Sequence, residues 1–233
     1  MKIEASVLIE FLKKARLDGK QKIEAAALNF TDSGLKLLAT SPTAITQSSA
    51  WLKCAAFKEY ETLGVVAFND LSSVQNCFAR FNGDITIKKS GNCLTVTGTN
   101  KKVDIELVSE QFLPTDTAAN EMAFDNVVII DSGTLKEITK DVQLNVDSCV
   151  IIKTDDKKVI FSNTGKYKFE TTIEAPQCKK GTIVKFGAAF IECIRNLDGM
   201  LQLSVKSDYP VKILESTDNS VISIICAPMV EDA

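Results

Sequence analysis

The sequence predicts an α+β protein of two similar domains, each an antiparallel sheet covered on one face by two helices. Three observations predict it: short alternating apolar stretches outnumber helical ones, the order of elements runs through twice, and a polar, proline-containing stretch separates the two passes.

The first pass opens with helical spacing over residues 6–17, where Leu8, Phe11, Leu12 and Ala15 form one apolar stripe. Ser6 is the expected N-cap and Gly19 the stop. Strands over 22–30 and 35–39 follow, joined by Thr31-Asp32-Ser33-Gly34 as a hairpin turn. A second helix over 71–81 buries Leu71, Val74, Phe78 and Phe81 and closes at Asn82-Gly83. Strands over 84–88, 94–97 and 103–108 complete the pass.

Residues 110–121, around Phe112-Leu113-Pro114-Thr115-Asp116-Thr117, show no period and read as a linker between domains 1–109 and 122–233. The second pass repeats the order: a strand over 126–130, then a helix over 132–142 striped by Leu135, Ile138 and Val142. A hairpin of 149–153 and 158–162 turns at Thr154-Asp155-Asp156-Lys157, 123 positions beyond the first turn. A strand over 167–173, a helix over 186–197 ending at Asp198-Gly199, and strands over 201–206, 211–215 and 221–226 close it. A repeat of that length is a duplicated domain rather than a solenoid unit.

Composition narrows the chemistry. At 233 residues, 45% apolar and 24% charged, the chain can bury a real core, and no apolar run reaches the roughly 18 residues of a membrane helix. Neither a secretion signal nor a C-x-x-C pair is present among its seven cysteines, so an intracellular protein with reduced thiols is expected. Cys178, beside Lys179 and Lys180, is the one candidate for a reactive thiolate, against a plain loop cysteine. Histidine is absent, which removes the commonest general base and metal ligand. Glycine-rich phosphate loops are missing too, and the paired acids Asp155-Asp156 and Glu231-Asp232 sit in a turn and the tail. No catalytic residue, metal site or cofactor is expected.

The chain resembles the sliding clamp family, of the proliferating cell nuclear antigen type. The residues that carry the resemblance are Ile225-Cys226-Ala227-Pro228-Met229-Val230-Glu231-Asp232, similar to the family's Leu-Ala-Pro-Lys-Ile-Glu-Asp ending, together with Ser207-Asp208-Tyr209-Pro210-Val211 and Leu12-Lys13-Lys14-Ala15. Met229 stands where the family usually has a basic residue. The resemblance implies a homotrimeric ring of six domains, helices inside and sheet outside, that encircles duplex DNA. Strand edges near 103–108 and 167–173 are then expected to join the subunits.

It further implies a clamp loader and partners such as DNA polymerase that carry short docking peptides. Lys13, Lys14, Arg16, Lys20, Arg80, Lys136, Lys140 and Arg195 become DNA-facing candidates, although Glu10, Glu137 and Glu192 on the same helices fit plain solvated faces. Net charge of −3 argues against a general nucleic-acid binder. Partner-binding candidates are Thr43, Ala44, Leu113, Met122, Pro210, Ala227 and Pro228. A monomeric or dimeric clamp-like processivity factor and an unrelated β-rich binding protein stand as the alternatives.

Overall fold

The computed structural model describes residues 1–113, 122–145 and 149–229. Most of the linker, residues 114–121, and the acidic pair Glu231-Asp232 lie outside the described residues.

The first half runs β1 (Lys2–Glu4), α1 (Ala5–Ala15), β2 (Ala26–Thr31), β3 (Gly34–Thr40), β4 (Thr46–Lys53), β5 (Gly64–Phe68), α2 (Leu71–Phe78), β6 (Asp84–Ser90), β7 (Cys93–Thr97) and β8 (Lys102–Glu106). The second runs β9 (Asn126–Asp131), α3 (Ser132–Gln143), β10 (Val150–Asp155), β11 (Lys158–Asn163), β12 (Glu170–Glu174), β13 (Ile183–Phe186), α4 (Ala188–Ile194), β14 (Met200–Val205), β15 (Val211–Ser216) and β16 (Ser220–Cys226). The two orders are identical element for element.

Duplication extends to the sheets, all of whose ladders are antiparallel. Each half contributes two four-stranded blocks rather than the single sheet expected from periodicity. The order β5-β2-β3-β4 of the first half has its counterpart in β13-β10-β11-β12, and β8-β7-β6-β1 in β16-β15-β14-β9. Within the chain, β4 pairs with β16 from Thr46↔Cys226 to Leu52↔Ser220, fusing two blocks into one eight-stranded sheet. The corresponding edges of the outer blocks, β8 and β12, have no strand partner among the described residues.

Alternation decides which face is buried. Leu28, Leu37, Ala50, Ile222, Ile213 and Leu201 point inward and are at most 2% exposed, while Asn29, Lys36 and Ser49 lie on the outer face. The four helices cover the inner side, with α1 lying over both β4 and β16. Four strands escaped the periodicity, β1, β4, β5 and β13. In β4 the inward residues begin Thr46 and Ser48, both buried, so polar side chains mask the alternation.

Local signals differ in detail. No side chain caps α1 at Glu4, and Ser6 instead donates to the Glu4 carboxylate at 2.7 Å. That helix ends at Ala15, before the left-handed Leu17 (φ 60°) rather than at Gly19. Strand β2 starts at Ala26, since 19–21 form a short 3-10 turn. Phe186 belongs to β13 rather than to α4. Cys178 is buried at 3% exposure with its thiol directed at the Val127 carbonyl, and burial pushes its pKa up, away from a reactive thiolate.

The largest correction concerns Lys14, expected to face DNA. It is 7% exposed, and its ammonium donates to Glu215 Oε1 at 2.7 Å, with Glu10 at 3.0 Å and Asp198 at 3.4 Å. Glu215, itself 2% exposed on the inner face of β15, also accepts the Asp198 N–H at 2.8 Å. Burial disfavours the charged lysine, but hydrogen bonds to Glu215 and Glu10 outweigh it and raise its pKa. Lys14 thus fastens the first half to the second.

Breaking a buried pair leaves the other charge unpaired, so Lys14→Met is expected to lower stability by about 3 kcal/mol. The double change Lys14→Met with Glu215→Leu removes both charges and is expected to recover most of that loss. Urea unfolding at fixed protein concentration measures both; a single-variant loss below about 1 kcal/mol contradicts the assignment.

Candidate functional site

Two surfaces gather the remaining candidates. The first is the helix-covered side. Lys13, Lys20, Arg80 and Lys140 are exposed there and make no ion pair among the described residues. Lys13 occupies the outer face of α1 because Leu12, Lys14 and Ala15 turn inward. Lys140 lies in the last turn of α3, where a cation complements the helix dipole.

The other cations on this side are engaged. Arg16 ties α1 to α2, its Nε donating to Gln75 Oε1 at 2.6 Å and its NH1 to Ser72 Oγ at 3.1 Å. Arg195 of α4 reaches Asp18 at 3.1 Å, across the two halves. The Gly19 N–H and then Arg195 hold the Asp18 carboxyl below the usual range. Lys136 pairs with Asp198 at 3.2 Å. Glu10 and Glu137 are exposed beside these cations, so the surface offers scattered positive points rather than a continuous basic patch.

The second surface is one end of the eight-stranded sheet. Register brings there the start of β4, the end of β16, the start of β15 and the end of β14, since Thr46 pairs with Cys226, Cys226 with Val211, and Val205 with Asn126. Thr43, Ala44, Pro210, Ala227 and Pro228 therefore converge from three loops, with Met122 four residues before β9. The Ala227 N–H donates to the Ile45 carbonyl at 2.9 Å, continuing the β4–β16 ladder past its ends. Leu113 follows the 3-10 turn at 110–112, which packs against β5 at the opposite edge of the sheet from β9.

Gln21 organises the 41–46 loop. Its Oε1 accepts from Thr43 Oγ1 at 2.6 Å, Ser41 Oγ at 2.9 Å and Thr46 Oγ1 at 3.2 Å, while its N–H donates to Glu192 of α4 at 3.0 Å. Ala44 is left-handed at φ 56° and Asp208, in the facing loop, at φ 52°. Ile45 at 41% and Met229 at 52% are exposed large apolar side chains of this end, with Val127 and Ile183 near them. Phe124 and Tyr209 meet edge to face at 6.0 Å.

A groove of about 650 Å³ opens beside Ile183, Asp208, Pro228 and Met229. Of the partner-binding candidates, Pro228 alone lines it. A second groove of about 600 Å³ runs over the outer face past Lys36, Trp51 and Glu110. Sequence reasoning missed Gln21, Ile45 and Tyr209. Ile45 carried a readable signal, a large apolar residue directly after the turn-forming Ser41-Pro42-Thr43-Ala44; Gln21 carried none.

No protein-family model matches the chain. It is similar to the DNA polymerase sliding clamp of Methanococcus vannielii, 23% identical over 233 residues that cover 90% of this chain and 91% of that one. A sliding clamp of Methanococcus maripaludis is similar to the same extent, 23% over 234 residues. Among solved structures, A. fulgidus PCNA bound to the C-terminal region of FEN-1 superposes with a TM-score of 0.87 at 14% identity, covering 100% of this chain and 98% of that one. PCNA from Entamoeba histolytica superposes at 0.83 with 18% identity, covering 98% of each chain. The chain thus shares sequence with DNA polymerase sliding clamps over nine-tenths of its length at 23% identity, and over its whole length it has the fold of proliferating cell nuclear antigen.

Proposed function

We propose that the chain is the subunit of a ring that encircles duplex DNA and tethers polymerases and other DNA-processing enzymes to it as a non-catalytic scaffold. The observation that carries this is the sheet edge. The join between halves, β4 with β16, has its duplicates in β12 and β8, the edge strands of the two outer sheets, which have no further strand partner among the described residues. A head-to-tail join of that kind closes into a ring when its rotation allows, and three copies supply six domains.

In such a ring the helix side lines the hole. Lys13, Lys20, Arg80 and Lys140 then supply the phosphate contacts, with Lys136, Arg16 and Arg195 already spoken for by protein partners. A few scattered cations suit a clamp, because topology holds the DNA and strong contacts would slow its passage. Reversing Lys13, Lys20, Arg80 and Lys140 to Glu is expected to reduce loading and processive synthesis by about tenfold at low salt. Stability is expected to change by less than about 0.5 kcal/mol per site. Primer extension on a long template measures the first and urea unfolding the second; unchanged processivity makes these residues solvated faces only.

Docking peptides are proposed to bind at the sheet end where Thr43, Ala44, Ile45, Pro210, Ala227 and Pro228 converge, with Leu113 and Met122 at the linker ends. Apolar anchors on a peptide fit the exposed Ile45 and the Pro228 groove. Ile45→Asp with Pro228→Asp is expected to weaken binding of a polymerase tail peptide at least tenfold without changing the oligomer, because charge there meets apolar anchors. Fluorescence polarisation decides it, and equal affinities move the docking site elsewhere.

A further inference from the structure

Pairing of the two strand edges that lack a further partner among the described residues rests on the ring reading above, which leaves open which residues face each other and whether the neighbour is a copy of this chain. Internal duplication answers both, because the β4–β16 join is a template. Glu4 and Asp131 each precede a helix and pair with Asp84 and Met200. Two positions along, Thr86 pairs with Thr97 and Gln202 with Leu214; these in turn pair with Lys102 and Ser223. Lys102 is therefore the counterpart of Ser223. In the other blocks the hairpin turns coincide, and Gly34 pairs with Lys53 as Lys158 pairs with Glu174. Ser49 is accordingly the counterpart of Glu170. Within the chain Ser223 pairs with Ser49.

We infer that β8 of one copy pairs with the 166–170 stretch of the next in the register that sets Lys102 against Glu170, Asp104 against Lys168 and Glu106 against Lys166, so that the seam selects a second copy of this chain. All six side chains are exposed, and each pair joins opposite charges on one face. On the other face the register sets Val103 against Phe169 and Ile105 against Tyr167, covering a tyrosine that is 56% exposed.

Backbone direction agrees independently. The Leu107 N–H donates to Asn92 at 2.9 Å, and the Gly98 N–H donates to the Lys101 carbonyl at 2.9 Å, so 101, 103, 105 and 107 address β7. Residues 102, 104 and 106 address the open side. On the other edge the N–H groups of Tyr167 and Phe169 turn inward to the Asn145 and Asn163 side chains, at 2.9 and 2.8 Å, which leaves 168 and its alternate neighbours facing out. The template has the same phase, since Ala227, counterpart of Glu106, donates to Ile45, counterpart of Lys166. A slip of two residues sets Lys102 against Lys168, so the charges also resist misregister.

The test is a charge swap read by sedimentation equilibrium of the full chain. Asp104→Lys with Glu106→Lys, and separately Lys166→Glu with Lys168→Glu, are each expected to weaken trimer formation at least about tenfold, since two attractive pairs become repulsive. Combining all four is expected to restore association to within about threefold of the parent. Circular dichroism checks that each variant is folded. Double variants that associate like the parent, or a fourfold variant no stronger than the doubles, overturn the register while a trimeric parent leaves the ring reading standing. A parent that stays monomeric at tens of micromolar overturns the ring reading itself.

Discussion

Everything in this molecule depends on the antiparallel join between β4 and β16. It turns two duplicated halves into one body, and it does so with main-chain hydrogen bonds that carry no sequence preference of their own. Specificity at the join comes from what lies over it. α1 covers both strands, and Lys14 on α1 reaches Glu215 on β15, so a charge from one half is neutralised by a charge from the other. The Gln21 N–H, donating to Glu192, and the ion pair of Arg195 with Asp18 add further contacts between the halves on the helix side. An ion pair is a costly way to hold two halves together, because both charges lose their water. Its geometry is exacting in return, and that favours one angle between the halves.

The same join spreads the candidate surfaces over the molecule rather than gathering them in a cleft. Fusing the blocks through β4 and β16 brings the loops 41–46, 206–210 and 227–229 to one sheet end, so both halves contribute to the proposed docking rim. It also leaves β8 and β12 as sheet edges with no further strand partner among the described residues, and such edges invite another chain. Helices cover the other face of the sheet, and their exposed side carries scattered cations. No single residue needs unusual chemistry for that, which fits a chain with no histidine.

Much of this was legible in the residues. The stripe Leu8, Phe11, Leu12, Ala15 is a strong helical signal because long apolar side chains must share one face, and the hairpins announced themselves through Thr31-Asp32-Ser33-Gly34 and its counterpart. Strand β4 was illegible because its inward positions hold threonine and serine, one of which, Ser48, buries a hydroxyl with no partner among the described residues. Lys14 was misread for a related reason. A lysine beside a stripe is ordinarily solvated, and only the approach of Glu215, 201 positions away, reveals that this one is not. The candidate site was legible where the motif Ala227-Pro228 marked it and illegible at Gln21, whose role is set by three hydroxyls brought to it by folding.

The proposed ring holds DNA by topology rather than affinity, and one measurement addresses that directly. The loaded protein is followed on closed circular duplex, and the same DNA is then cut once. Retention on the circle at a salt concentration that screens phosphate contacts, followed by release on linearisation, is the predicted result. Equal loss from circular and linear DNA under those conditions contradicts encirclement and returns the chain to an ordinary, salt-sensitive binder.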